Sequence, residues 1–272
     1  MKQAAATLLL LIFAAGAAGA AEESCNVGPR AAAQTNAASL NTMNWIPFRR
    51  PETGWAVYAP LIAEEIGVSC PPDSAGFAAA LAFWQTKHKD AGTGVLDETT
   101  FGQMQLDWEL RRPFVVASRT ACPPPPDEST LAKASPQESY GGEQILLRPG
   151  ALAAYRRLVA AARAALPASA ANAPLLTIFS GYRSPQSDAA RCLREQNCQG
   201  GARATCSAHR TGTAMDLYLG AAPGFRPDSS ADANRLYLSR TAAYLWLAHN
   251  AAKYGFVNYP FEPWHWEWTG GG

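Results

Sequence analysis

The sequence predicts an α+β fold in which a C-terminal domain, with a central antiparallel sheet flanked by helices, follows a small, mostly helical domain. Predicted strands and helices segregate along the chain without βαβ units, which favours α+β over a parallel sheet. Four consecutive prolines, residues 123–126, lie in a polar segment without apolar periodicity, which indicates a linker. With 272 residues, the chain is long enough for two domains that each bury a core.

The net charge of the chain gives no reason to expect a nucleic-acid partner. The chain has 23 Lys and Arg against 22 Asp and Glu, which gives a formal net charge of +1. Such a chain has no basic excess to attract a polyanion, so we expect no nucleic-acid partner.

The first residues predict a secretory signal peptide over residues 1–21. A positive start at Lys2 precedes an apolar stretch from Ala4 to Ala15 and a run of small residues that ends at Ala21. The alternative, a membrane anchor, is disfavoured because the apolar stretch is short for a span of ~20 residues. We therefore expect an exported protein, periplasmic or secreted, without stable membrane insertion.

Six cysteines in an exported chain favour disulfides, although six allow fifteen connectivities. Proximity suggests Cys192 with Cys198 and Cys25 with Cys70, which leaves Cys122 for Cys206. An alternative uses Cys206 as a metal ligand, because Cys206-x-x-His209 has the spacing of a structural zinc knuckle.

The predicted N-terminal domain covers residues 22–120 and begins with a loose leader over residues 22–44. Residues 77–85 carry the apolar stripe of a helix, and residues 93–101 form a turn that leads into a second helix. The segment from Phe77 to Met104 is similar to the small three-helix peptidoglycan-binding modules, with Trp84-Gln85 and then G-x-L-D-x-x-T. This resemblance implies contact with glycan strands; the alternative is a helical packing domain without a ligand.

After the predicted linker, residues 121–144, the C-terminal domain covers residues 145–272. A helix begins at Pro149 and ends before Pro167, with apolar residues on one side. Residues 175–179 predict a buried strand that leads into Ser180-Gly181-Tyr182-Arg183-Ser184, and Ser184-Pro185 begins the next helix. A second strand spans residues 214–219, a long helix spans residues 235–254 and ends at Gly255, and a strand pair begins at Phe256.

A candidate metal site lies in Ser207-Ala208-His209-Arg210-Thr211-Gly212-Thr213-Ala214-Met215-Asp216. Zinc binds imidazole nitrogen and carboxylate oxygen, and a catalytic zinc has three protein ligands. His209 and Asp216 supply two of them. The third is expected from His265, which lies among acids and aromatic residues and follows Pro263, a residue that interrupts regular strand pairing.

Three motifs in this order, S-G-Y-R-S, S-x-H-x-x-G-x-A-x-D and E-P-W-H-W, resemble the VanY-like zinc D-Ala-D-Ala carboxypeptidases. These belong to the wider lysostaphin, D-Ala-D-Ala and hedgehog-type metallopeptidases. The resemblance implies zinc bound by His209, Asp216 and His265, Glu262 as the catalytic base, and Arg183 as the group that polarises the scissile carbonyl. It also implies peptidoglycan stem peptides as substrates.

The sequence leaves the roles of further residues and two other functions open. Ser207, Tyr259 and Trp264 are expected to line the substrate pocket, and Glu267 shares the His265 side, where it either supports His265 or replaces Glu262 as the base. The alternatives to a carboxypeptidase are an endopeptidase that cuts D,D or L-Ala-D-Glu bonds, and a non-catalytic zinc-containing protein that binds the cell wall. The chain departs from the family by an insertion from Cys192 to Cys206 and by the lack of a clear glutamine after S-G-Y-R-S.

Overall fold

The computed structural model of the protein describes residues 25–167, 174–194, 196, 198 and 205–271. The predicted signal peptide, residues 1–21, lies outside these residues. No helix in the described part of the chain is both long enough and apolar enough to cross a membrane.

The chain divides into two compact units. The first contains residues up to Pro47 and Pro51–Gly102, and the second contains Phe48–Arg50 and Gln103–Gly272. This division differs from the predicted boundary at residues 121–144. The physical reason is that residues 121–144 are tied into the second unit: Cys122 is bonded to Cys206, and Ala132–Lys133 pairs with Leu146–Leu147.

The first unit is mostly helical, as predicted. Its helices are α1 (Arg30–Ser39), α2 (Ala59–Glu65) and α3 (Ala75–Lys87), and it also contains the first residues, up to Gly102, of helix α4, which spans Glu98–Arg111. Its two strands, β1 (Asn44–Trp45) and β2 (Glu52–Thr53), pair antiparallel. Helix α1 replaces the loose leader predicted for this region, because Ala32 and Ala33 pack against Ala78 of α3. The contact of this unit with glycan stays a prediction.

Gln85 explains why the W-Q and G-x-L-D-x-x-T patterns occur together. Its buried amide donates to the Val95 carbonyl at 3.0 Å and to Thr100 Oγ1 at 2.9 Å, and its Oε1 accepts from the Gly94 backbone N–H at 2.8 Å. A buried amide requires such partners, so this side chain fixes the turn between α3 and α4.

The second unit contains the remaining elements. After the rest of α4 come α5 (Pro113–Ala117), β3 (Ala132–Lys133), β4 (Leu146–Leu147), α6 (Pro149–Ala165), β5 (Ile178–Ser180), α7 (Pro185–Arg194), β6 (Ala214–Leu217), α8 (Asp232–Ser239), α9 (Ala242–Asn250), β7 (Phe256–Tyr259) and β8 (Glu262–Trp268). Helix α6 buries residues at helical spacing, Leu152, Tyr155, Leu158, Val159 and Ala162, as predicted.

The four-stranded sheet has the order β5-β6-β8-β7, and all its neighbours are antiparallel. The predicted α+β class with an antiparallel sheet is therefore confirmed. Strand β6 is buried at every position, and its central place brings residues of the candidate metal site into the sheet interior.

The helix predicted over residues 235–254 is wrong as one continuous element. The chain forms α8, then α9, then a 3-10 turn over Ala251–Tyr254. The break occurs because Thr241 begins a new helix: its hydroxyl accepts a hydrogen bond from the Tyr244 backbone N–H at 3.2 Å.

All six cysteines are paired in the structure, as Cys25–Cys70, Cys122–Cys206 and Cys192–Cys198. These are the pairs that proximity suggested. Because Cys206 is bonded to Cys122, the alternative in which Cys206 binds zinc is wrong.

Candidate metal centre

Strand pairing brings Asp216 and His265 together. Asp216 in β6 lies directly opposite His265 in β8, and His265 Nδ1 is 2.9 Å from Asp216 Oδ1. His209 reaches the same oxygen from the 3-10 turn Ala208–Thr211, with its Nε2 3.2 Å from Asp216 Oδ1. The three predicted ligands therefore meet at one carboxylate, and all three are buried.

The orientation of His209 is fixed by a backbone carbonyl. Its Nδ1 donates to the Gly181 carbonyl at 2.7 Å. Since a carbonyl only accepts, the neutral ring carries its proton on Nδ1, and the lone pair of Nε2 faces Asp216. This tautomer leaves Nε2 of His209 free to bind a metal, while the backbone carbonyl holds the proton on Nδ1.

Glycine at position 181 permits this contact. A Cβ there would lie 2.7 Å from the Leu146 carbonyl oxygen, too close for any other residue to fit without movement. At the other end of the turn, Gly212 has a φ of +71° and ends the helical turn that carries His209. Gly212 lies between His209 and Asp216 in the sequence, and its left-handed backbone conformation explains why this position of the motif is a glycine.

The donor set fits zinc. The ligand atoms of His209, Asp216 and His265 lie within 4.8 Å of one another, and no other group of this kind occurs among the described residues. Tetrahedral zinc with bonds of about 2.0 Å places its ligand atoms about 3.3 Å apart, close to the 2.9 and 3.2 Å observed. Two imidazole nitrogens and one carboxylate oxygen are the ligands of many catalytic zinc sites.

The three groups differ in charge: His209 is neutral and Asp216 is ionised, as metal binding requires, whereas His265 must release a proton when it binds a cation. Burial and the nearby Arg183 lower the pKa of His209 to about 4, so this ring is neutral. Burial alone raises the pKa of Asp216, but the two histidines outweigh it and hold that pKa well below its usual range. Burial alone lowers the pKa of His265, but its contacts with Asp216 and Glu267 raise it to about 9.

Arg183 lies beside this cluster and is held in place by its neighbours. Its Nη1 donates to Ser180 Oγ at 2.7 Å and lies 3.9 Å from Asp216 Oδ2, while its Nε donates to Asp188 Oδ1 at 3.3 Å. Asp188 is buried in α7 and also accepts from the Ser207 hydroxyl at 2.9 Å. One buried carboxylate therefore orients both the arginine and Ser207.

Glu262 is the first residue of β8 and pairs with Tyr259 across the two-residue turn from β7. The register shifts between Asn258 and Tyr259, and the Asn258 amide fills the gap by donating to the carbonyls of Glu262 at 3.3 Å and His265 at 2.8 Å. This irregularity fits the expectation that Pro263 interrupts the ladder. Burial raises the pKa of Glu262, and the charge of Asp216 adds to the effect.

The predicted pocket residues differ in their surroundings. Ser207 is partly buried next to Asp188, and the Tyr259 ring lies edge-on to the His265 ring, with centroids 6.2 Å apart. Trp264 is only 3% exposed, so little of its surface is available to a substrate. The contact of these three residues with a substrate stays a prediction.

Glu267 has the surroundings of a structural carboxylate rather than of a base. Its side chain is buried, its Oε1 accepts from Arg112 Nε at 2.7 Å, and its Oε2 accepts from the Phe114 backbone N–H at 3.0 Å. Although burial alone raises the pKa of Glu267, Arg112 and His265 lower it to about 2. A carboxylate so occupied is a poor proton acceptor for a reacting water.

Sequence reasoning missed three residues that shape the site: Arg112, Asp188 and Asn258. Asn258 had a signal, because a polar residue at a buried strand position needs hydrogen-bond partners. The sequence contains no signal for Arg112 or Asp188, because nothing in the neighbouring residues distinguishes either of them from the other charged residues of the chain.

One comparison with known proteins bears on this site. The family model described as VanY, D-alanyl-D-alanine carboxypeptidase, matches residues 144–271, which include all three candidate ligands, Glu262 and Arg183. No curated protein matches the chain.

Proposed function

We propose that this chain, whose residues 144–271 belong to the VanY family of D-alanyl-D-alanine carboxypeptidases, is a zinc peptidase that removes the terminal D-alanine of peptidoglycan stem peptides. The observation that carries the proposal is the meeting of His209 Nε2 and His265 Nδ1 at Asp216 Oδ1 within the matched residues. Three disulfides support an oxidising compartment outside the cytoplasm, where such peptides occur.

His209, Asp216 and His265 are the residues that would hold the zinc ion. When bound, zinc supplies Lewis acidity, which polarises a carbonyl oxygen and makes water nucleophilic near neutral pH. The chain itself contributes a neutral His209 with a fixed tautomer and a single ionised carboxylate, so the bound cation keeps a net positive charge.

Glu262 is suited to move the proton. General-base catalysis is most efficient when the pKa of the base lies close to the working pH, and burial raises the pKa of Glu262 towards that range. In the proposed reaction Glu262 accepts a proton from the attacking water and then transfers it to the amine of the departing D-alanine.

Arg183 is suited to stabilise negative charge at the scissile carbonyl. Its guanidinium is always charged, and contacts with Asp188 and Ser180 fix it before the substrate arrives. Such a fixed donor stabilises the oxyanion that develops in the transition state without reorganisation. Ser207, oriented by the same Asp188, is proposed to contact the peptide next to this oxygen.

The preference for a chain end is proposed from the Tyr259 ring beside the candidate ligand His265. The Tyr259 ring lies against His265 and is itself covered by the Arg112 guanidinium, 4.0 Å from its centroid. The Tyr259 ring, held in this position, favours a short leaving group, such as one D-alanine, over a long peptide chain.

The test is to incubate the purified protein and zinc with a stem pentapeptide that ends in D-Ala-D-Ala and to measure free D-alanine. The matched controls are the same peptide ending in D-Ala-L-Ala and the same peptide with a C-terminal amide. We expect release of the terminal residue only from the free D,D end, measured as D-alanine for the pentapeptide and as L-alanine or D-alanine amide for the two controls. Activity should be lost on chelation and recovered with zinc. Cleavage of cross-linked dimers without release of D-alanine from the pentapeptide would instead identify an endopeptidase, and absence of all cleavage would favour the non-catalytic alternative.

A further inference from the structure

The ring of His265 has a second nitrogen whose surroundings the proposed function does not use. While Nδ1 faces Asp216, Nε2 is buried and makes no hydrogen bond in the described structure. The polar atom beside it is Glu267 Oε1, at 3.5 Å. The regular alternation of β8 places both side chains on one face of the strand, so Glu267 lies behind His265 as seen from Asp216.

Glu267 is held by two donors from outside the matched residues. Arg112 Nε and Nη2 each lie 2.7 Å from Oε1, and the Phe114 backbone N–H donates to Oε2 at 3.0 Å. Both donors precede residue 144, where the family match begins, and both belong to the second unit. The carboxylate therefore depends on a segment that the family motifs do not include.

Arg112 is itself tightly enclosed. Pro113 favours the extended backbone seen at Arg112, which turns the chain from α4 into α5. The Arg112 side chain is 8% exposed, its Nη1 contacts Glu109 Oε2 at 2.8 Å, and its guanidinium covers the ring of Tyr259. A planar guanidinium with this many fixed contacts determines the position of its carboxylate partner more narrowly than an ammonium would.

We infer that Glu267 and Arg112 are positioning residues for the metal ligand His265, an inference that rests on the proposed zinc site. In the zinc-loaded protein Glu267 accepts the proton of His265 Nε2, which leaves the lone pair of Nδ1 directed at the position of the metal beside Asp216. Arg112 holds Glu267 for this contact. A metal-bound histidine needs such a partner on its other ring nitrogen, and loss of that partner typically weakens metal binding about 10–100-fold.

The inference is tested by zinc affinity rather than by turnover. Zinc dissociation constants are measured by chelator competition for wild type, Glu267→Gln, Arg112→Met and Arg112→Lys. We expect the zinc dissociation constant to increase about 10–100-fold for Glu267→Gln and Arg112→Met. The increase should be smaller for Arg112→Lys, which keeps the positive charge but loses the planar guanidinium with its several donors. The control variants are Glu138→Gln and Arg156→Lys. They alter the ion pair of Glu138 and Arg156, which lies in the same unit and has the same N–O distance of 2.7 Å as the pair of Arg112 and Glu267. Both controls should leave zinc affinity unchanged.

A spectroscopic measurement separates positioning from general destabilisation. In the zinc-loaded wild-type protein, histidine side-chain NMR should show the His265 proton on Nε2, in slow exchange with solvent. In Glu267→Gln, at saturating zinc, this signal should shift and exchange faster. Thermal unfolding of the metal-free variants shows whether they fold. If Glu267→Gln does not fold, the zinc affinity of Arg112→Lys and the position of the His265 proton in the wild-type spectrum test the inference.

The outcomes are distinct. Wild-type protein that fails to bind one zinc contradicts the proposed function itself. Wild-type protein that binds zinc, with folded Arg112 and Glu267 variants of unchanged zinc affinity or with the His265 proton on Nδ1, contradicts only the positioning role and leaves a structural ion pair.

Discussion

His265 lies directly opposite Asp216 in the antiparallel pair of β6 and β8, although 49 residues separate them in sequence, and its Nδ1 is 2.9 Å from Asp216 Oδ1. Hydrogen bonds of the sheet ladder therefore set the distance between two of the three candidate ligands. Only His209 depends on an irregular turn, and its ring is fixed there by the Gly181 carbonyl.

One zinc ion per chain is expected, bound by His209, Asp216 and His265. Replacement of either histidine by alanine removes one of three protein ligands, so metal analysis of His209→Ala and His265→Ala after dialysis should show loss of stoichiometric zinc. The matched control is His249→Ala, since His249 lies exposed in α9. Full zinc occupancy in both ligand variants would overturn the assignment.

Glu262→Gln should retain zinc and lose turnover. The substitution keeps the shape of the side chain and removes the base, which typically contributes about 10²–10⁴-fold to the rate. Steady-state rates at saturating zinc check this. Glu267→Gln is the comparison: its defect should lie in zinc affinity and be largely reversed by excess zinc. If Glu267→Gln is inactive with bound zinc while Glu262→Gln is active, the base has been misassigned.

Arg183→Ala should lower kcat by at least about 10²-fold, as for the loss of one oxyanion donor. Asp188→Asn should lower kcat less, because it weakens the contacts that orient Arg183 and Ser207 but leaves the guanidinium in the protein. Arg226→Ala is the control, since the Arg226 side chain is 83% exposed and pairs with Asp228. Equal kcat values for wild type and Arg183→Ala would rule out this role.

The ion pair of Glu138 and Arg156 predicts an acid-sensitive contribution to stability. Hydrogen bonds from Arg156 lower the pKa of Glu138 from 4.5 to about 2. A carboxylate whose pKa is lower in the folded protein stabilises it above the unfolded pKa, and this stabilisation is lost as pH falls from about 4.5 to about 2. Urea unfolding of wild type and Glu138→Gln across this range should give a difference in free energy that shrinks as pH falls. A constant difference would contradict the prediction.

The disulfides should be formed in protein exported from the cell, and thiol titration under denaturing conditions should find no free thiol. Cys122–Cys206 closes a loop with a sequence separation of 84 residues, so the double variant Cys122→Ser/Cys206→Ser should lose about 2–5 kcal/mol of stability. Denaturant unfolding measures the loss. Several free thiols in the exported protein would refute the pairing.

Local chemistry in the sequence predicted the three candidate ligands that the structure brings together. Zinc restricts its ligands to a few residue types, and the spacing of His209 and Asp216, with the aromatic segment around His265, pointed to these residues. The helix over residues 149–165 and the final strand pair also follow from local apolar patterns, because the period of a pattern determines which face is buried.

The sequence by itself determined the features that depend on neighbouring residues in the chain. These are the α+β class, most helices and strands, and the residue types of the candidate ligands. The tertiary structure decided the features that depend on distant residues. It placed Arg112 and Asp188 as partners of Glu267 and Arg183, broke the predicted helix at Thr241, and joined residues 121–144 to the second unit. The physical reason is that one buried charge needs another, and which two charges meet is set by the packing of the whole unit.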